Sequence, residues 1–168
     1  MSPWTAEFAA WDVWIVSWIV ASLWSAPAAA RLDWRRQAPN LVVTAAGGVL
    51  LFSQQMTSPF RLANLWNNPL WLGWVMVAVS VAGFAFCWWA RIHLGRLWSG
   101  TVTRKADHRI VDTGPYGIVR HPIYTGLLAA AAGLAVLDAS AGALLGFAVV
   151  ALGLTMKARL EEGFLAEA

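Results

Sequence analysis

Arg120-His121-Pro122-Ile123-Tyr124 is the run of this chain best equipped for chemistry, with Gly114-Pro115-Tyr116 just before it and Glu161-Glu162 beyond the next apolar stretch. Ionisable residues at the start of an apolar helix are expensive to bury and tend to mark working sites. Pro122 suits the first turn of a helix, where its missing N–H costs nothing, and the free N–H groups of that turn favour an anion such as a carboxylate. Arg120 adds to that preference. The two glutamates carry the opposite charge, suited to an ammonium, a sulfonium or ribose hydroxyls. Together these residues fit a polar, zwitterionic ligand. His93 and His108 have no ligand spacing, so no metal is expected. The glycines of 114–117 follow no strand and make no dinucleotide fingerprint.

The surroundings of these residues are set by composition. Of 168 residues, 59% are hydrophobic and 12% charged, against about 25% charged in an ordinary soluble domain. The mean hydropathy is +0.57. Such a chain belongs in a bilayer, and its length predicts a single membrane domain over 1–168. The single cysteine, Cys87, lies in an apolar run and excludes an intramolecular disulfide. The net charge of +3 comes from basic residues in short segments beside apolar ones rather than from one stripe. Lipid headgroups and membrane orientation account for these residues, and no nucleic-acid partner is expected.

Apolar runs predict an all-α integral membrane protein with five transmembrane helices, over 11–30, 41–56, 70–91, 123–137 and 140–156. No basic stretch precedes the first run, so a cleaved signal peptide is not expected. Arg31 to Gln37 reads as a polar break, Thr57 to Pro69 as a turn-rich loop, and 92–121 as a functional cytoplasmic loop too long for a simple turn. The last two helices form a C-terminal hairpin of about 22 to 26 Å, short of a hydrocarbon core of about 30 Å. Ala129 and Gly133, and then Gly142 and Gly146, supply small residues for close helix packing. Most of the tryptophans read as an interfacial belt, while Trp34 and Trp98 are placed to border a route for lipid. Arg31, Arg35, Arg36, the 92–121 loop, Lys157 and Arg159 fall on one side, whereas Arg61 is the one basic residue on the other. The positive-inside rule then puts the N-terminus outside and the C-terminus and site in the cytoplasm.

Arg91-x-x-Leu94-Gly95, Gly114-Pro115-Tyr116-x-x-Val119-Arg120-His121-Pro122-x-Tyr124-x-Gly126 and Glu161-Glu162-x-x-Leu165 together resemble the isoprenylcysteine carboxyl methyltransferase family and its phospholipid N-methyltransferase relatives. The resemblance covers roughly 91 to 165; the first two helices resemble nothing in particular. It implies an integral-membrane enzyme that binds S-adenosylmethionine from the cytoplasm and takes a lipophilic small-molecule or lipidated acceptor from the bilayer. His121, Pro122, Tyr124, Glu161 and Glu162 would hold the cofactor, with Gly114, Pro115, Tyr116 and Val119 in the loop over it. Arg120 and Glu162 are the implied catalytic residues. An arginine would position a carboxylate acceptor, and a carboxylate would take the proton of an amine acceptor; the residues leave both open. Methyl transfer from a sulfonium needs alignment and exclusion of water rather than a covalent nucleophile.

This sequence departs from the family pattern in two places. Lys157 stands where eukaryotic members usually have arginine, keeping the charge without the planar bidentate fork. The family tends to continue beyond the leucine with a Phe-Gly and paired-tyrosine segment, whereas this sequence stops at Ala168. Two other classes compete: a steroid-reductase-like, NADPH-dependent membrane oxidoreductase, against which the paired glutamates argue, and a non-catalytic membrane scaffold or transporter, which leaves the charged cluster without a role. The acceptor (oxygen, nitrogen or sulfur) and the oligomeric state are not readable from the chain.

Overall fold

Long apolar runs can satisfy their backbone groups without water only as helices or closed barrels, and this chain uses helices. A computed structural model describes residues 1–53, 62–105 and 111–166. Its helices are α1 (Pro3–Ser22), α2 (Trp34–Ser53), α3 (Leu70–Leu94), α4 (Pro122–Asp138) and α5 (Ala141–Ala166), with two short strands, β1 (Ala28–Arg31) and β2 (Thr103–Lys105). Among the described residues, α5 and the segment Leu70–Leu97 are long and apolar enough to cross a membrane; α4 is apolar but shorter.

The helix ends differ from the hydropathy reading for local reasons. α1 begins at Pro3 rather than at residue 11, because Ser2 caps it by accepting the Thr5 N–H at 3.2 Å and Pro3 occupies the first turn. It stops at Ser22 rather than 30. Pro27 disfavours helix before it, and Ala28–Arg31 pairs instead as a strand. The basic stretch expected as a break is the first turn of α2, where Asp33 Oδ1 accepts the Arg35 N–H at 3.1 Å, and Pro39 lies inside the helix. The expected end of that helix, 54–56, falls outside the described residues. α3 runs past residue 91 to Leu94 and is ended by Gly95 at φ 55.

α5 also overturns an expectation, since it continues through Lys157 and both glutamates to Ala166. Its 26 residues span about 39 Å, more than a hydrocarbon core of about 30 Å. Only α4, with 17 residues, is short.

Small residues pack this hairpin outward rather than onto itself. A Cβ on Gly133 would collide with Ser80 and Met76 of α3, one on Gly146 with Leu51 of α2, and one on Gly47 of α2 would meet the Val150 nitrogen of α5 at 2.6 Å. α4 therefore lies against α3, and α5 against α2. Trp11, Leu51, Phe84 and Leu134, with several alanines, make the core between them.

β1 and β2 pair antiparallel and tie the α1–α2 connection to the segment after α3. Buried Gln37 reinforces the tie, donating to the Leu32 carbonyl at 2.7 Å and accepting the Val102 N–H at 2.9 Å. Arg91, fully buried, donates to the carbonyls of Gly95 at 2.5 Å and of Ala21 and Trp24 at 2.7 Å, with its guanidinium against the rings of Trp24 and Trp98. Residues 95–103 are thereby fixed against the end of α1.

Candidate functional site

The start of α4 and the last turns of α5 meet, bringing His121 and Tyr124 to Glu161 and Glu162. His121 precedes Pro122 with φ −124 and ψ 67 and makes no side-chain cap, which leaves its imidazole free to face α5. Its Nε2 lies 3.1 Å from Glu162 Oε1 and its Nδ1 3.7 Å from Glu161 Oε2. Tyr124 sits one turn into α4, stacks on the imidazole with 5.3 Å between ring centres, and donates its hydroxyl to Glu161 Oε1 at 2.6 Å. A bond to a charged acceptor of this kind contributes about 1.5–3 kcal/mol. Arg120 Nη1 stands 3.9 Å from Glu162 Oε1, but the arginine side chain is 88% exposed. That pair adds little stability and leaves the guanidinium available to a ligand.

The Gly114-Pro115-Tyr116 turn is held by a residue that its sequence neighbours did not mark. His93, at the end of α3, shares a hydrogen bond with the Thr113 hydroxyl at 2.9 Å and stacks on Tyr116 with 6.4 Å between ring centres. Gly114 has φ +59, and a Cβ there would lie 2.9 Å from the His93 ring, so both backbone conformation and space call for glycine. Burial first, and then the nearby Glu161, push the Tyr116 hydroxyl up to about 12. It remains a hydrogen-bond donor at neutral pH.

These residues surround a cavity of about 560 Å³, within the range of about 300–1,000 Å³ that holds a small-molecule ligand. Of the residues singled out in the sequence, Tyr116, Arg120, His121, Tyr124, Glu161 and Glu162 line it. Gly114, Pro115, Val119 and Pro122 do not; they shape the turn and the helix start that carry the others. Lys157 lines it too, donating to the Gly100 carbonyl at 2.8 Å with its ammonium over the Tyr124 ring at 5.4 Å. The residue noted as a departure from the family pattern is therefore part of the site wall.

Trp14 and Trp18 of α1, residues 97–103, Leu127 and Leu154 also line it, with Leu94, Val111, Ile123 and Leu165. The two tryptophans were indistinguishable in sequence from an interfacial belt, because only the fold turns them inward. Trp98 lines the cavity as its place suggested, whereas Trp34 is 70% exposed and takes no part. His108 lies outside the described residues. The arrangement combines a charged end, made by α4 and α5, with an aromatic and aliphatic end made by α1, α4 and α5. It can grip a polar, zwitterionic molecule beside an apolar one and keep water from the contact between them.

Two comparisons bear on this site. The model of the Isoprenylcysteine carboxyl methyltransferase (ICMT) family matches residues 73–167, which include the charged end of the cavity. The cobalt-zinc-cadmium resistance protein CzcN of Cupriavidus metallidurans is 31% identical over 134 residues, covering 77% of this chain and 54% of that protein. The chain thus spans about half the length of the curated relative it matches.

Proposed function

This chain belongs to the isoprenylcysteine carboxyl methyltransferase family, and on that premise we propose that it transfers a methyl group from S-adenosylmethionine to a lipophilic acceptor at the membrane surface. The observation that carries this reading is one cavity with two chemistries: His121, Tyr124, Glu161 and Glu162 at one end, and Trp14, Trp18, Leu127 and Leu154 at the other.

The charged end fits the cofactor by its donor set. Glu161 and Glu162 offer acceptors to ribose hydroxyls and an ammonium, while Arg120 and Lys157 offer donors to a carboxylate. When bound, the cofactor supplies an electrophilic methyl group on a sulfonium. His121 and Tyr124 fix the two carboxylates, so binding needs little reordering of the site. With the cofactor held there, the residues of the charged end would align its methyl–sulfur bond with the acceptor's lone pair, and the carbon–sulfur electron pair would leave with sulfur. Glu162 takes the proton of an amine acceptor, and Arg120 orients a carboxylate acceptor, which has none to lose. Trp98 and the turn carrying Tyr116 keep water out. The same reading includes five membrane-crossing helices with the site on the cytoplasmic face.

Calorimetric titration of the purified protein with S-adenosylhomocysteine, run beside a reduced nicotinamide dinucleotide, tests the class. Saturable binding of the first alone is expected. Binding of the dinucleotide alone would move the protein to the reductase class, and binding of neither would remove the enzymatic reading.

A further inference from the structure

The aromatic end of the cavity is shallow, and Trp14 stands at its floor. On α5 the lining runs from Leu165 to Leu154, about 16 Å at the α-helical rise, and the part beyond the charged end at Glu161 is about 10 Å deep, about a third of a hydrocarbon core of about 30 Å. Three tryptophans form a continuous wall along that depth. Trp98 meets Trp18 edge to face with 5.6 Å between centres, and Trp18 stacks on Trp14 at 5.0 Å. Trp14 then stacks on Phe84 at 5.3 Å and meets Trp11 edge to face at 6.0 Å. Phe84 and Trp11 are buried core residues and do not line the cavity. Below Trp14 there is packed protein.

Volume points the same way. A cavity of about 560 Å³ must take both cofactor and acceptor, although about 300–1,000 Å³ is the range for one drug-sized ligand. Little space remains for an acceptor's apolar body once the charged end is filled. Trp14 and Trp18 lie outside residues 73–167, the part matched by the family model, whereas Trp98 lies within it.

Building on the methyltransferase reading, we propose that the acceptor is a compact amphiphile whose short apolar body lies against Trp14, Trp18 and Trp98, and that Trp14 sets the longest body the site accepts. Its reacting heteroatom stands between this wall and the His121–Glu162 end. A flat indole wall grips a short chain or ring through dispersion contacts, whereas a long chain finds Trp14 in its way.

The test is methyl transfer from labelled S-adenosylmethionine to straight-chain thiols, amines and carboxylic acids, butyl to hexadecyl, by the full chain in lipid nanodiscs. For whichever head group reacts, turnover should be highest among short members and about tenfold or more lower for hexadecyl, the order of discrimination a filled apolar pocket gives. Trp14→Ala should shift the preferred length upward with S-adenosylhomocysteine affinity unchanged. Because Trp14 also packs on the core, Trp18→Leu is the second variant and should broaden the length profile. A flat wild-type profile, a profile rising to hexadecyl, no turnover with any head group, or an unmoved optimum in variants that bind S-adenosylhomocysteine would overturn the proposal. Failure of the wild type to bind S-adenosylhomocysteine would instead remove the methyltransferase reading on which it rests.

Discussion

His121 is the residue on which the charged end turns, because its two ring nitrogens face two different glutamates while its ring face carries Tyr124. Removing it leaves Glu161 and Glu162 as like charges without their shared partner. His121→Ala should weaken S-adenosylhomocysteine binding by about tenfold to a hundredfold, the range for losing one hydrogen bond to a charged group. Tyr124→Phe deletes only the donation to Glu161 and should fall toward the lower part of that range. Both proteins should stay folded and extractable in detergent, since the cluster lies at the rim of the bundle. Wild-type affinity in both variants, measured calorimetrically, would show that the cofactor site lies elsewhere. Lys157 belongs to the same scale. Its ammonium is already committed to the Gly100 carbonyl, so it braces the wall formed by 98–103 as well as bringing charge to the cavity.

Helix pairing rests on glycines whose neighbours are backbone atoms, and backbone cannot move aside as a side chain can. A Cβ on Gly83 would collide with the Gly126 carbonyl oxygen, and one on Gly126 with the Gly83 carbonyl oxygen, so the backbones of α3 and α4 meet directly there. Gly83→Val should destabilise the protein by about 1–3 kcal/mol or more, the cost of overpacking, read as earlier unfolding in mixed denaturing micelles. Gly48→Ala is the matched control. Nothing lies within 4 Å of a Cβ at Gly48, and alanine is the better helix former by about 1 kcal/mol, so this change should be neutral or stabilising. Equal losses from both substitutions would disprove the helix pairing. Sequence made the existence of five helices legible, because apolar runs of that length have few other folds. It also made the His121, Tyr124 and glutamate set legible, because charge at the rim of such runs is rare. It could not give the partner of each helix: Gly133 and Gly146 marked close packing without saying which helix lies against them. Helix ends such as Ser2–Pro3 and Asp33 depend on capping rather than hydropathy, so the apolar runs misplaced them. Strand β1, three alanines and an arginine, carries no strand signal of its own and forms only because β2 is brought beside it. His93 and Trp14 were unreadable for the same reason, since their roles exist only once α3 meets the 113–117 turn and α1 packs on α3.

At the scale of the molecule, the bundle has two unlike ends. One gathers the C-terminal ends of α1, α3 and α5, the N-terminal ends of α2 and α4, the β1–β2 pair and the cavity, and it carries Arg31, Arg35, Arg36, Arg96, Arg120, Lys157 and Arg159. At the other end the Leu65 N–H reaches the Ala139 carbonyl at 2.7 Å, Asn68 donates to the Val136 and Leu137 carbonyls at 2.9 and 2.6 Å, and Pro3 lies against Gly73. Its described ionisable side chains include Glu7 and Asp138, both buried. Arg61, expected on that side, lies outside the described residues. A bilayer sorts such ends, because basic segments near membrane-crossing helices are retained on the cytoplasmic side. The basic end, and with it the mouth of the cavity, should therefore face the cytoplasm, where a soluble charged cofactor is at hand. Labelling with a membrane-impermeant maleimide checks this: Cys87 is replaced by alanine, and single cysteines are placed at Ser2, Arg35 and Gly163. In intact cells only the cysteine at position 2 should react, and those at 35 and 163 should react after permeabilisation. Labelling of 35 and 163 from outside would reverse the orientation and put the charged end where no cytoplasmic cofactor can reach it, whereas labelling at all three positions would show that α1 does not cross the bilayer with the others.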